Sequence, residues 1–328
     1  MINLREVTAK KVLARLALLA VCFGSTACAG PLADDNDPRM TYFQPPIVST
    51  QVPDRPLDIY SLDRNTLGVR LARPVPLIPA YNNQGLLIAS WNPHPHGVQN
   101  RPTIVIIHGG HGMGPSNFAT ALWARDYLDA NTLVLDSYWS RGVQQNWVTG
   151  TSLGATGRAL DIIAAGRWLK NTIGVNPQST YLIGDSQGGW AVLRSLTNEP
   201  ILEREMPSLY AAGFALYPVC KGGNSDLYPR LGPYTLPVII FTGGQDTATP
   251  PGECWGNQPT VFRAAYEHIH YPNGTHAWDI ANRGARGHAV DGECLRALNH
   301  LNRFQMCRND ELTANMRNRI RQYIQTGR

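Results

Sequence analysis

Cys-x-x-Cys does not occur in this chain, and no histidine accompanies its cysteines at metal-ligand spacing, so the usual pattern of a zinc site is missing. There is no internal repeat and no low-complexity tract, which sets aside solenoid and fibrous architectures for the whole. Charged residues make up only 16% of the 328 positions, while hydrophobic residues make up 43%, enough for a sizeable core. The formal net charge is +5, but Arg5, Lys10, Lys11 and Arg15 against Glu6 place +3 of it in residues 1–29. The remaining +2 is too little for an electrostatic nucleic-acid footprint, so no nucleic-acid partner is expected.

Long apolar runs are also lacking. The N-terminal run from Leu16 to Phe23 is eight residues, against the roughly 20 that a membrane-spanning helix needs. It follows basic residues and precedes small ones, the layout of an export signal. Ala27-Cys28-Ala29 suits cleavage before Gly30. Thr26-Ala27-Cys28 is also lipobox-like, although Ser25 stands where such boxes usually carry Leu, so a lipid anchor at Cys28 is the alternative. Residues 1–29 are therefore read as a signal peptide. Residues 30–58, rich in Pro, Asp and Asn, read as an extended arm or linker, and 59–328 as the folded domain. The mature protein is expected to be periplasmic or secreted, or else a membrane-anchored lipoprotein. Outside the signal, Cys220, Cys254, Cys294 and Cys307 form an even set, which in an exported protein points to two disulfides, with three pairings open.

Residues 59–83 read as irregular, broken by Pro74, Pro76 and Pro79. Apolar strands are expected at 85–91, 103–108, 132–136, 180–183, 211–217, 237–242 and 265–271. The run Thr103-Ile-Val-Ile-Ile-His108 has the β-branched continuity of a strand buried on both faces. Helical spacing lies between them at 117–130 and 155–171, and after them at 289–305 and 310–325. Strands alternating with helices imply a mostly parallel sheet covered on both faces. Arg317, Arg319 and Arg321 of the last helix read as a solvated face, and His94 and His96 as residues of a surface loop.

Gly-x-Ser-x-Gly occurs twice. Gly150-Thr-Ser152-Leu-Gly154 follows a polar stretch that makes a poor buried strand, so Ser152 reads as a loop or capping serine. Gly184-Asp-Ser186-Gln-Gly188 ends the apolar run Tyr181-Leu-Ile183 and opens a helix from Trp190. Strand, sharp turn, serine, helix is the context in which the pattern marks a nucleophile elbow. The turn strains the serine backbone, so its flanks must be nearly side-chain-free.

A serine hydroxyl needs a base, and the base an orienting acid. In α/β-hydrolase order the acid and then the histidine follow the serine, each beyond a later strand. Asp246 follows the strand at 237–242, with Glu253 as the nearby alternative. His276 lies in the loop beyond 265–271. Oxyanion stabilisation would come from the backbone N–H of Gln187, after the nucleophile, and from the glycine loop His108-Gly-Gly-His-Gly112. There Gly110 is the first candidate and His111 the runner-up.

With these residues assembled, the chain resembles the dienelactone hydrolase family of α/β hydrolases over roughly residues 84–280. The islands that carry the resemblance are Val105-Ile-Ile-His-Gly-Gly-His-Gly112, Leu133-Val-Leu-Asp-Ser-Tyr-Trp-Ser-Arg-Gly142, Gly184-Asp-Ser-Gln-Gly-Gly189, Tyr217-Pro-Val-Cys220, Gly243-Gly-Gln-Asp-Thr-Ala-Thr-Pro250 with Cys254, and Tyr271-Pro-Asn-Gly-Thr-His-Ala-Trp-Asp279. The resemblance implies Ser186, Asp246 and His276 as the triad of an α/β-hydrolase fold, and the 19 residues of 218–236 between two strands leave no room there for a large lid domain. The founding members use a Cys nucleophile where this chain has Ser186. That difference directs the expectation away from dienelactone itself and toward the serine-bearing esterases. Arg141 would be placed to meet a substrate carboxylate, as the family hints. His111, Trp139 and Trp278 are further candidate substrate contacts, while Trp190 and Trp255 also flank the site loops. Cys220 with Cys254 would pin the loop of Asp246, leaving Cys294 with Cys307. The expected activity is hydrolysis of a small carboxylic ester or lactone, without metal or organic cofactor. A peptidase or amidase on the same fold, and a catalytically idle binding protein, are the alternatives.

Overall fold

The computed structural model describes residues 61–62, 69–70, 77–81, 86–138, 153–220, 233–252, 254, 266–280, 289–298 and 303–328. The expectations for 1–58, and those for Trp139, Arg141, Ser152, Glu253 and Trp255, lie outside these residues.

In chain order the strands are β1 (Ser61–Leu62), β2 (Val69–Arg70), β3 (Leu77–Pro79), β4 (Leu86–Asn92), β5 (Thr103–Ile107) and β6 (Asn131–Asp136), followed by β7 (Thr180–Asp185), β8 (Ala212–Leu216), β9 (Val238–Gly243), β10 (Tyr266–Tyr271), β11 (Cys294–Leu298) and β12 (Arg303–Cys307). The helices are α1 (Pro115–Leu128), α2 (Ala155–Trp168), α3 (Gln187–Ser195), α4 (Pro200–Glu205) and α5 (Asp310–Thr326). Eight strands form one sheet in the order β10-β9-β8-β7-β5-β6-β4-β3. Every pairing from β6 to β10 is parallel, while β4 runs antiparallel to β6 and β3 antiparallel to β4.

The β-branched run of β5 is central because it is apolar on both faces, and all five residues are buried. Ile104 and Ile106 pack under α1 and α5 with Phe118, Met316 and Ile320. Val105 and Ile107 face α2 and α3 with Ile162, Ala191 and Val192. Full burial of each such side chain stabilises the fold by about 1.5–3 kcal/mol. Strand order reverses around β5: the chain leaves it for β6 by way of α1, then returns by way of α2 to β7 on its other side. At such a switch point the connections part, leaving a crevice at the strand C-termini.

Two stretches differ from the sequence-based expectation. The region read as irregular contains β3, whose Pro79 is tolerated because the strand is the sheet's edge. The helix expected over 289–305 is instead the antiparallel hairpin β11–β12, with Cys294 opposite Cys307 and Leu295 opposite Met306. Phe304 and Met306 are buried while Arg303 and Gln305 are exposed, so the burial period there is two. The disulfide Cys294–Cys307 closes this hairpin, and Cys220–Cys254 joins the segments after β8 and β9. The connection from Leu216 to Val238 is too short to hold a lid domain. Among the described residues no helix is long and apolar enough to cross a membrane.

Gly188 shows how tightly α3 is seated. A Cβ there would stand 2.1 Å from the Ile107 carbonyl oxygen and 2.6 Å from that of His108. Gly188→Ala is therefore expected to lower the unfolding free energy by about 3 kcal/mol, read by urea denaturation. An unchanged midpoint would show that α3 can shift freely against β5.

Candidate active site

Ser186 connects β7 to α3 with φ 52 and ψ −117, a backbone conformation rare for any residue with a side chain. The neighbouring glycines make it attainable. A Cβ on Gly184 would lie 2.3 Å from the Gly188 carbonyl oxygen, so the turn closes only with both positions bare. The Ser186 N–H donates to the Leu216 carbonyl at 2.9 Å, and the Ser186 carbonyl accepts the Trp190 N–H at 3.1 Å. The serine is thus fixed at the C-terminal edge of the sheet, at the head of α3.

Two later loops reach it. His276 Nε2 is 3.1 Å from Ser186 Oγ, and His276 Nδ1 is 2.8 Å from Asp246 Oδ2. Both His276 and Asp246 are buried. The tautomer consistent with these contacts carries hydrogen on Nδ1, directed at the carboxylate, and leaves Nε2 to accept the serine proton. Asp246 Oδ1 accepts the N–H groups of Ala248 and Thr249, each at 2.8 Å. The aspartate therefore caps its own turn and orients the imidazole at once. Thr249 Oγ1 lies 2.7 Å from Asp246 Oδ2, 3.2 Å from His276 Nδ1 and 3.0 Å from the Tyr217 carbonyl oxygen. The rings of Tyr217 and Phe304 meet the imidazole edge-on, with centroids at 5.0 and 5.2 Å.

The acid and histidine loops hold each other. The N–H groups of Gly244 and Gln245 donate to the carbonyls of Tyr271 and Gly274, at 2.8 and 2.9 Å. The β11–β12 hairpin braces the histidine loop from the other side: Cys307 N–H donates to Thr275 Oγ1 at 2.8 Å, and Arg308 Nη1 to the Ile280 carbonyl at 3.0 Å.

The glycine loop after β5 runs beside the serine. A Cβ on Gly109 would come 2.7 Å from Asp185 Oδ2 and 3.3 Å from Ser186 Cβ. Gly110 and His111 are buried in this loop. Asn117 fastens the loop to the elbow, because its amide nitrogen donates to Asp185 Oδ1 at 2.9 Å while its Oδ1 accepts the Gly114 N–H at 3.0 Å. Gln187, the first residue of α3, has its side-chain oxygen bonded by the Tyr138 hydroxyl at 3.0 Å. Its N–H belongs to the first turn of a helix, where backbone donors have no intrahelical acceptor.

His108 anchors the base of the loop. Its Nδ1 is 2.7 Å from the Gly109 carbonyl, and Nε2 accepts the Ser137 N–H at 3.2 Å. Burial, with the nearby Arg158 cation second, holds its pKa well below the ordinary histidine value, so it is a neutral structural group.

Trp278 requires a correction. It is fully buried in the core between Tyr217 and Tyr271 and cannot wall a substrate pocket. Trp190 is likewise buried, in the core on the α2–α3 face. His94 pairs with Asp129 at 2.8 Å, and no cluster suited to a metal ion occurs among the described residues. Sequence reasoning missed Thr249, Tyr138 and Asn117. Only Thr249 carried a local signal, three positions after Asp246 in a turn.

The strand order, the reversal at β5 and the serine elbow define an α/β-hydrolase fold. No protein-family model matches the chain, and no curated protein matches it. Among solved structures, it is similar to a Klebsiella pneumoniae protein assigned as a dienelactone hydrolase, at 15% identity and TM-score 0.49, over 62% of this chain and 87% of the other. It is also similar to an esterase from Thermogutta terrifontis, at 19% identity and TM-score 0.44, over 62% and 84%. A serine hydrolase without lid from Xanthomonas campestris aligns at 16% identity and TM-score 0.42, over 62% and 85%.

Two histidines, His108 buried and His268 half-buried, make stability depend on pH. His108 is held neutral, and burial of His268 on β10, with His270 second, pushes its pKa down to about 4 from 6.5. Below 6.5 the unfolded chain binds protons that the folded chain does not, so stability is full above that value and falls as pH drops toward 4. The loss is up to about 1.4 kcal/mol per pH unit for each histidine. Urea midpoints should therefore decline steadily on acidification. His268→Gln, which can keep the bond to Thr242 Oγ1, should flatten the slope. A profile indifferent to pH would contradict the neutral assignment.

Proposed function

We propose that the protein is an exported serine hydrolase acting on a carboxylic ester or lactone. Ser186 Oγ attacks the carbonyl carbon as His276 Nε2 takes its proton. Asp246 keeps the imidazole in the required tautomer and stabilises the imidazolium. The N–H groups of Gly110 and Gln187 receive the oxyanion. Collapse of the tetrahedral intermediate expels the alkoxide, which takes the proton from His276 and leaves the acyl group on Ser186. His276 then activates water, the ester bond to Ser186 breaks, and the carboxylic acid departs with the serine restored.

The observation that carries this reading is the unbroken hydrogen-bond chain from Ser186 Oγ through His276 to Asp246, set at a strained elbow. A turn serine held for structural reasons alone needs neither a buried imidazole nor a carboxylate behind it. Export is favoured by the N-terminal sequence and by the two disulfides, which persist in oxidising compartments.

The test combines a fluorophosphonate probe with a panel of p-nitrophenyl esters. Wild-type protein should take the probe on Ser186, and Ser186→Ala should lose both label and turnover, a fall of about 10⁴-fold or more. Wild-type protein that is neither labelled nor active on any ester of the panel would refute the hydrolase reading. A strong preference for amides over matched esters would move the substrate class to peptides or amides.

Thr249→Val removes a hydroxyl from the carboxylate and the imidazole while keeping the volume. It should lower kcat by about 10-fold with little change in KM, as expected for one lost bond to a charged group. A change confined to KM would place Thr249 in substrate binding instead.

A further inference from the structure

On the face of the sheet covered by α1 and α5 lies a pocket of about 280 Å³ that shares no residue with the Ser186 site. Arg308, Arg317 and Arg321 line it, together with Trp123, Tyr127 and Asp310. Arg317 and Arg321 are four apart on α5 and so project from the same side of the helix. The sequence read these arginines as a solvated face, but across from them stands α1. Arg317 lies over the Trp123 ring at 5.4 Å, and Arg319 is drawn away to pair with Glu267 on β10.

The charges in this pocket do not balance. Asp310 Oδ1 is bound by Arg308 Nε at 2.7 Å, and Arg308 Nη1 is held by the Ile280 carbonyl. Arg317 and Arg321 make no ion pair with any described residue. Burial disfavours the charged form of Arg317, and Asp279, the main acidic group that offsets this, has Oδ1 occupied by the Tyr217 hydroxyl at 2.7 Å. A partly desolvated guanidinium with no carboxylate in ion-pair contact is a place where an anion gains more than it would in water.

The aromatic groups add shape. Tyr127 is 63% exposed, one of two large apolar side chains so exposed among the described residues, and it stands at the same pocket. Trp123 is buried and presents its ring beneath Arg317. A planar group entering the pocket would meet a tyrosine ring and a guanidinium plane, both of which stack well.

We propose that the α1–α5 pocket is a second binding site, taking a small aromatic carboxylate whose anion is held by Arg317 and Arg321 and whose ring packs against Tyr127. The site is independent of the proposed hydrolysis, because its residues are not those that would act on an ester.

The probe is 2-naphthoate, titrated calorimetrically into the full-length protein, with inorganic phosphate and 2-naphthalenemethanol as comparison ligands. Naphthoate should bind with Kd of about 1 mM or tighter, and phosphate and the neutral alcohol at least about tenfold more weakly. Arg317→Gln and, separately, Arg321→Gln should each weaken naphthoate by about tenfold or more. Tyr127→Ala, at an exposed position of α1, should weaken it severalfold. Ser186→Ala should leave binding unchanged. The proposal is overturned if naphthoate does not bind, if its affinity is indifferent to both arginine substitutions, or if Ser186→Ala abolishes binding. It is also overturned if phosphate or the neutral alcohol binds as tightly. Loss of esterase activity with naphthoate binding intact would count against the hydrolase reading alone.

Discussion

The backbone of Ser186 is held at φ 52, a conformation that costs on the order of 1–3 kcal/mol and persists only where its surroundings leave no alternative. Those surroundings are mostly backbone atoms. Gly188 lies against the carbonyls of Ile107 and His108 and Gly184 against the Gly188 backbone, while Gly109 lies against the Asp185 carboxylate and the Ser186 Cβ. β5, β7 and α3 thus meet at a point where no Cβ can enter. Backbone-to-backbone contact transmits position without the rotamer freedom of a side chain. The location of Ser186 Oγ is therefore set by the register of β5 on β7, Ile107 opposite Gly184. The core that fixes this register also fixes the serine.

His276 and Asp246 have no such helix behind them and come from loops beyond β9 and β10. Their precision derives from mutual bracing. The acid loop bonds to the histidine loop through Gly244 and Gln245, and the β11–β12 hairpin bonds to it through Cys307 and Arg308. A disulfide closes the hairpin, and the other joins Cys220 to Cys254 beside the acid loop. Each bridge limits the unfolded-state freedom of a segment that would otherwise be among the least anchored at this edge. Oxidation is thereby coupled to the geometry of the two loops rather than to the sheet.

What was legible in the sequence follows from how locally each feature is encoded. The buried strands announce themselves as β-branched runs, and the elbow by glycine spacing between strand and helix. Asp246 and His276, which the structure brings together with Ser186, stand out in the sequence because they follow strands in a fixed order. The hairpin has the sequence pattern of a helix because Leu295, Leu298, Leu301 and Phe304 recur every third residue, which mimics one helical face. Pairing of Cys294 with Cys307 and inward packing of Leu295 opposite Met306 override that period. Trp278 is a candidate substrate contact by its position two residues from His276. The left-handed backbone at Ala277 turns the chain between them and sends the indole into the core. Thr249 has its spacing from Asp246 as a local signal, but its bond to the Tyr217 carbonyl, like the seat of Arg317 over Trp123, arises only when distant segments meet.

Arg158 shows how a buried charge ties these parts together. It is almost fully buried on α2, its Nη2 donates to the His108 carbonyl at the foot of the glycine loop, and its guanidinium lies 5.1 Å from the centre of the Tyr138 ring. The Tyr138 hydroxyl in turn holds the side chain of Gln187. A single cation thus steadies both segments that flank Ser186, the glycine loop on one side and the first residue of α3 on the other. Nε and Nη1 of this arginine have no hydrogen-bond partner among the described residues, so its charge is only partly compensated. Solvation does not screen it at that depth, and the low polarity of the core extends its reach. The N–H groups of Gly110 and Gln187, proposed to receive the oxyanion, belong to the two segments that Arg158 holds.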